Sequence, residues 1–597
     1  MIHGVMLPAT YTRDIQMIYF TQATVEPEGS VLQGLGTLPK ELVVRILRAA
    51  NTPVTEQLRL LPTSFHTAAV HAAFPSIDAD RSVCVRASDL KCAPFAEALW
   101  PELSCITSFR RSCERIWPYD ASSEGVVALG CQLSKLSYIQ QLDLNGNSLG
   151  AEGVEFLGPH LVRLTSIKQL HLSDNLLGDS GVEALGPYLS QLTSLQQLDL
   201  SCNEIGDDGV KSLGPHLALL ISMQQLSLKD NEIGDDGAIS LGPHLAQLTS
   251  IQQLQLSLNR IGDAGVESLG PHLAYLKAIQ QLELGWNRIG TDGAKSLAPH
   301  LAQLTCIQQF DLSCNDIGDD GVESLAPHLA LLISIQQLRL KDNEIDVNGV
   351  KALGPHLEHL TSIQELDLSL NCFAADGVQS LGPHLAHLRC IQHLRLGDLL
   401  FGGSAVEALG PHLAQLTSIL QLDLENNDIG ADGAKSLGPH LTHLTSIQQL
   451  HLSSNHIGDE GVKSLGPHLA HLTSIQHLDL SGNGIGAEGA RFLGPHLALL
   501  TSIQQLDLSM NQIGVEGAKS LGPHLAQLRL IQQLRLSQNL FGDSGVESLG
   551  PYIAQLTSIQ RLDLDKNDIG ADGVKSLERH LAHLTSIGKL VTTILSH

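Results

Sequence analysis

Leucine and isoleucine recur along most of this chain in two alternating rhythms. In residues 447–472, Leu450 and Leu452 alternate with Gln449, His451 and Ser453. A period of two puts successive side chains on opposite faces, so this stretch predicts a short half-buried strand with the leucines inward. Further on, Val462, Leu465, Leu469 and Leu472 are spaced by three, four and three residues, which places them on one side of a helix covering the back of the strand.

The strand-then-helix pair repeats every 28 residues, with strand leucines at Leu142, Leu170, Leu198, Leu226 and onward to Leu562, which makes sixteen full units. An asparagine follows the strand in fifteen of them, from Asn147 to Asn567. Its amide can satisfy backbone groups where the chain leaves the sheet. Leu399 takes that place in one unit, which also carries Ala405 where the others have glycine before the helix, so the array is irregular there. A Gly-Pro or Ala-Pro pair, such as Gly158-Pro159, falls inside the helical half of nearly every unit. An interior proline removes a hydrogen bond and costs about 3 kcal/mol, which predicts bent or restarted helices.

Strands pack about 4.8 Å apart while helices need roughly 8 to 10 Å. Stacked units must therefore curve, giving an α/β horseshoe solenoid with a parallel concave sheet and convex helices. The mismatch implies about 20° per unit, so that sixteen units approach a closed arc. Aromatic residues make up only 4% of the chain, so the core is aliphatic and built from many similar layers.

The pattern LxxLxLxxNxIG, followed by GVxxL and a helix, resembles the ribonuclease-inhibitor type of leucine-rich repeat. That type occurs in NOD-like receptor sensor regions and in Ran GTPase-activating protein. The resemblance covers residues 113–597 and implies the scaffold; members of the class share it and differ in their exposed side chains.

Charge narrows the partners. Acidic residues outnumber basic ones by 62 to 36, a net charge of −26, which repels nucleic acid and anionic membranes over most of the surface. The ten cysteines contain no CxxC pair, and Cys84, Cys92, Cys105 and Cys113 match no common zinc spacing. They read as free thiols. No leader peptide and no run of eighteen apolar residues is visible, so the expected location is the cytoplasm or nucleus, whose reducing conditions suit unpaired cysteines.

Two exposed columns of the strands carry the candidate binding groups. The first holds glutamine in twelve of sixteen units, with Glu365, His393, His477 and Arg561 as exceptions. The second holds Asp143, Asp199, Glu283, Asp311, Asp367, Asp423, Asp479, Asp507 and Asp563, interrupted by Arg339, Arg395 and Arg535. This reads as an acidic inner wall with basic islands. Such a wall steers a basic protein surface into the arc; alternatively it serves solubility alone. Internal copying fits the second view, because residues 198–233 closely match residues 310–345.

Positions that break the pattern are more specific. Leu258, Trp286 and Cys314 fill one column in consecutive units, flanked by Arg260, Arg288 and Glu283. A tryptophan beside arginine has the composition of a binding hot spot; the alternative is that Trp286 lies against the rim of the sheet.

Histidine follows the proline in most units, and pairs such as His384/His387 and His468/His471 share a helix face. Ligands for one ion would have to converge to about 2 Å from it, while successive helices stand roughly 8 to 10 Å apart. Neither a metal nor a cofactor is expected. Gly209-Val-Lys211-Ser212 lacks the adjacent Gly-Lys of a phosphate loop, and no HExxH, GxSxG or well-placed GxGxxG occurs. Regular copying also disfavours catalysis, which needs unlike groups at one place. The chain is expected not to be an enzyme.

The ends differ from the array. Residues 1–36 are left unassigned. Residues 37–75 begin with Leu38-Pro39-Lys-Glu-Leu42, and Leu42, Ile46 and Leu47 give a short amphipathic helix opened by proline. This segment resembles the first part of an F-box, without its usual Trp ending. The resemblance implies docking on a Skp adaptor of a ubiquitin ligase; the alternative is a helical cap. Residues 76–112 read as a connecting region and 113–141 as a degenerate cap unit. The solenoid ends just inside a seventeenth strand at Leu590, either as a minimal edge or because the native protein continues. Three functions follow in order: a scaffold binding a protein on the concave surface, an F-box-type substrate receptor, and a small-GTPase regulator like Ran GTPase-activating protein, from which no functional residue carries over.

Overall fold

A computed structural model describes residues 82–86, 108–112, 130, 133, 139–582, 584 and 589–591. The chain forms two compact units, Met1–Leu226 and Ser227–His597. In each, short parallel strands alternate with helices, which makes a repeat solenoid.

In the unit Ser227–His597, the strand Gln449–His451 pairs in parallel with Gln421–Asp423 before it and His477–Asp479 after it. Register is kept at the repeat length, Leu422 opposite Leu450 and Leu450 opposite Leu478. Ladder bonds continue past the strand, from Leu452 N–H to Asp479 O (3.0 Å) and from Ser454 N–H to Ser481 O (2.8 Å). The core between strands and helices holds the predicted Leu450, Leu452, Val462, Leu465, Leu469 and Leu472, all fully buried, and Ile457 joins them. The helix Gly458–Leu469 stops before Leu472, which lies in the turn beyond it. The last strand, Lys589–Val591, pairs with Arg561–Asp563.

In the unit Met1–Leu226 the same arrangement runs through the strands Gln141–Asp143, Gln169–His171 and Gln197–Asp199. Two more strands extend the sheet within the segment read as a connecting region. Ser82–Arg86 pairs with Ser108–Ser112, which pairs with Gln141–Asp143. Their offsets, Ser82 opposite Ser108 and Ser108 opposite Gln141, depart from the 28-residue period. A search for that period passes over them.

The asparagines form a ladder from unit to unit. Asn455 Nδ2 donates to Leu424 O (2.8 Å) and Ser453 O (3.0 Å), while its Oδ1 accepts from Asn427 N–H (2.9 Å) and Ile429 N–H (3.3 Å). Each carboxamide thus satisfies backbone groups on two turns of the solenoid that the sheet leaves unmade. At the irregular unit, Leu399 donates its backbone N–H to Asn427 Oδ1 at 2.9 Å, but its buried side chain offers Asn371 and Phe373 no acceptor.

Ala405 has its own reason. A Cβ on Gly265 would stand 2.7 Å from Asp235 Oδ1 of the preceding unit and 2.9 Å from Ile261 Cγ2 of its own. At the place of Asp235 in that unit stands Ala375, so the carboxylate obstacle is missing around Ala405, while Phe401 takes the place of Ile261.

The helices do not restart at proline, which corrects that part of the expectation. Gly150–Leu161 runs unbroken across Pro159, and the other proline-bearing helices do likewise. Proline falls in the last turn, so only one helical bond is lost. The carbonyl that loses its donor belongs to the exposed Glu155, where water can serve it.

Candidate functional site

Leu258, Trp286 and Cys314 stand side by side just beyond the strands. Leu258 N–H donates to Gly285 O (3.0 Å), Trp286 N–H to Ser313 O (2.7 Å) and Cys314 N–H to Lys341 O (2.7 Å), so the sheet's own bonding fixes their order. All three have left-handed backbones, with φ of 57°, 56° and 54°. That conformation costs a residue with a side chain roughly 1–2 kcal/mol. Glycine fills the same column at Gly146 and Gly482, so the fold itself does not ask for a large side chain there. Trp286 is 57% exposed; Leu258 and Cys314 are half-buried. Leu370 and Met510 are further exposed apolar residues of this column, with φ of 56° each. Reading the whole column in the sequence would have found them.

The flanking charges differ in their commitments. Arg260 pairs with Glu232 at 3.0 Å. Arg288 is exposed, and no carboxylate pairs with it among the described residues. Glu283 accepts hydrogen bonds from Gln281, from Ser257 (3.2 Å) and from Gln255 (3.4 Å), and no cation pairs with it among the described residues. Asp311 lies in register with Glu283 on the next strand. Between them, Gly285 replaces the serines of its neighbours, Ser257 and Ser313.

Further along, the arginines read as basic islands are largely spent inside the sheet. Arg339 donates from Nε and one terminal nitrogen to the two oxygens of Glu365 (3.0 and 3.2 Å), and Arg395 bonds the same carboxylate. Asp311 lies 3.8 Å from Arg339, and Asp367 lies 3.9 Å from Arg395. Glu365 is only 7% exposed. Burial alone would raise its pKa, but the two guanidinium groups outweigh burial and hold it below the usual carboxylate range. Sequence reasoning saw Glu365 only as an interruption of the glutamine column. Its position on the strand between Arg339 and Arg395 is the signal that would have found the cluster.

The acidic column also has a structural task. Asp311 accepts Ser313 N–H at 2.8 Å, Asp367 accepts Ser369 N–H at 3.0 Å, Asp423 accepts Glu425 N–H at 3.0 Å and Asp479 accepts Ser481 N–H at 2.9 Å. Each carboxylate ties the backbone two residues on, where the strand ends. Near Asp423 the wall is crowded: burial pushes the Glu425 pKa up, and Asp423, Asp479 and Asp398 add to the rise.

Other chemistry is quiet. Burial, with Asp342 adding to it, pushes the Cys314 thiol up to about 11, which leaves it protonated and a poor nucleophile at neutral pH. His384 Nδ1 meets Glu358 on the preceding helix at 2.7 Å, and His387 lies 3.8 Å from the same oxygen, so this HxxH pair grips a carboxylate. Among the described residues no group of three or more His, Cys, Asp or Glu side chains is arranged to hold a metal ion. Leu38, Pro39, Leu42, Ile46 and Leu47, the F-box-like segment, lie outside the described residues.

The leucine-rich repeat pattern matches fourteen stretches, from 135–158 and 163–186 to 500–522 and 555–577, which together cover more than half of the chain. The chain belongs to the leucine-rich-repeat family. One break in this leucine-rich-repeat series, between 359–382 and 415–438, contains Leu399 and Ala405. Among solved structures, a leucine-rich-repeat protein of Leptospira interrogans is similar at 20% identity and a TM-score of 0.44, covering 82% of this chain and 96% of that one. The leucine-rich-repeat ectodomain of the Arabidopsis receptor kinase HAESA, solved with an extended IDA peptide hormone ligand, is similar at 17% identity and a TM-score of 0.40, covering 78% of this chain and 76% of that one. No curated protein sequence matches the chain.

Proposed function

We propose that this protein is an interaction scaffold that binds a partner protein, basic at its contact surface, on the concave face formed by the strands. The observation that carries this reading is where the units differ. Buried leucines and ladder asparagines barely change from copy to copy, whereas the exposed strand positions run through Asp, Glu, Gln, His and Arg, and the next column through Gly, Asp, Leu, Trp and Met. Variation is concentrated on the columns of the sheet that face away from the helices, and the charge there favours association with a cationic surface. The 28-residue unit with an 11- or 12-residue helix supports the ribonuclease-inhibitor-like subtype.

The test exploits the backbone bond that each aspartate makes. Asparagine keeps the acceptor for the following N–H and removes the charge, so the triple variant Asp311→Asn, Asp423→Asn, Asp479→Asn should fold normally. Partner capture by the full chain should weaken in it, and its salt dependence should flatten. Equal capture at every salt concentration would contradict the reading.

A narrower reading makes the chain the substrate receptor of a ubiquitin ligase and rests on the resemblance of residues 38–47 to an F-box. Co-purification of a Skp adaptor with the full chain, lost in Leu42→Glu with Ile46→Glu, would support it; no adaptor with either would remove it. Among the described residues no helix is long and apolar enough to cross a membrane. The cytoplasmic or nuclear location is part of this proposal and rests on the sequence.

A further inference from the structure

The column of Leu258, Trp286 and Cys314, in which Trp286 is exposed, follows strands that carry the carboxylates Glu283 and Asp311. Glu283 has no cationic partner among the described residues, and Asp311 has only the distant Arg339 guanidinium, whose shorter bonds go to Glu365. Gly285 stands between Glu283 and Trp286 in the chain. A Cβ there would stand 3.1 Å from Asp311 Oδ1 and 3.0 Å from Ser313 O, so any other residue would crowd the carboxylate. An exposed indole thus follows, three residues on, a carboxylate that has no cationic partner among the described residues.

We propose that this column is the docking surface for an extended segment of a partner protein carrying a lysine or arginine next to an apolar residue. The apolar residue lies against Trp286 and Leu258. The cation passes over Gly285 to Glu283 and Asp311, its stem along the indole, where aromatic face and carboxylates both attract it. This deepens the scaffold reading and rests on it.

Charge selects this occupant over the others. A net charge of −26 disfavours an acidic segment or a second copy of this chain. Arg288 sets the direction. It follows Trp286 on the loop side, without a carboxylate partner among the described residues, so the basic residue belongs on the strand side and a neutral or acidic one beside Arg288. The left-handed backbone supplies a clean control, because Trp286→Gly removes the anchor at a position where Gly146 and Gly482 sit unstrained.

The experiment is selection of peptides from a random displayed library on the full chain, followed by titration of synthetic winners against wild type, Trp286→Gly and Glu283→Gln. The expected winners pair a lysine or arginine with an adjacent apolar residue. They should bind Trp286→Gly at least about tenfold more weakly, and Glu283→Gln severalfold more weakly with less dependence on salt. Winners that bind Trp286→Gly as well as wild type, winners without a basic residue, or no winners at all would overturn the proposal. The variant Asp423→Asn with Asp479→Asn, which leaves this column intact, tests the scaffold reading separately with folded partners, so it can stand while this inference falls.

Discussion

The imidazole of His468 lies over Gly438 of the preceding helix, so closely that a Cβ on Gly438 would stand 2.4 Å from its Cδ2. The same contact joins Gly186 to His216 and Gly410 to His440. Glycine before the proline is thus the seat for the next unit's ring in most units, with Ala298 and Ala326 in that place in two, and the recurring Gly-Pro-His is an inter-helix joint. Gly438→Ala should destabilise the protein by about 1–3 kcal/mol, the range for overpacking a close-packed site. Urea denaturation measures this, and an unchanged midpoint would refute the contact.

That joint predicts acid sensitivity. Burial lowers the pKa of His244, His356, His412, His440, His468 and His496 below the ordinary histidine value of 6.5. The folded state therefore favours neutral rings. The stability they contribute is fully present above pH 6.5 and is lost as pH falls from there through their folded values. Tyrosine occupies the same seat at Tyr188 over Gly158 and at Tyr552 over Gly522. Thermal melts from pH 7.5 to 5.5 should fall less steeply for His440→Tyr with His468→Tyr and His496→Tyr than for wild type. Parallel slopes would rule the column out as the cause.

Glu365 offers a third check. Replacing it with alanine leaves two half-buried guanidinium groups without their shared carboxylate, and the loss should be about 2 kcal/mol, discounted from the cost of breaking a fully buried pair. Because Arg339 and Arg395 hold the carboxyl below its ordinary value, its contribution is present above pH 4.5 and disappears as pH falls through the folded value. A double-mutant cycle with Arg395→Ala measures the coupling; additivity would show that the pair is idle.

Asn455→Leu reproduces the situation at Leu399 in a regular unit. The amides of Asn427 and Ile429 lose their acceptor, and Leu424 O loses a donor. Leaving such buried groups unmade should cost about 1–3 kcal/mol. Hydrogen exchange should show the effect at Asn427 and Ile429 first, and uniform exchange would argue against the ladder.

The layers were legible in the sequence because period two and period 3.6 place Leu450 and Leu465 in one core, and because Asn455 recurs with them. Contacts between units were not. The ring of His468 over Gly438 and the two arginines on Glu365 join residues one repeat apart, and a pattern read within a repeat does not see them. Pro159 misled for a local reason: the cost of an interior proline fades in the last helical turn. In the candidate site, the grouping of Leu258, Trp286 and Cys314 was readable as a column, but their left-handed backbones are set by φ angles that hydrophobic patterning does not report.

The most direct test of the scaffold account is site-specific photo-cross-linking in cells. A photoreactive residue at Asp423, on the exposed strand face, is compared with one at Lys463, on the outer face of a helix. A discrete cross-linked protein from position 423 and none from position 463 is the predicted result. The reverse pattern, or equal labelling from both faces, would contradict the claim that the strand face is where this protein meets its partner.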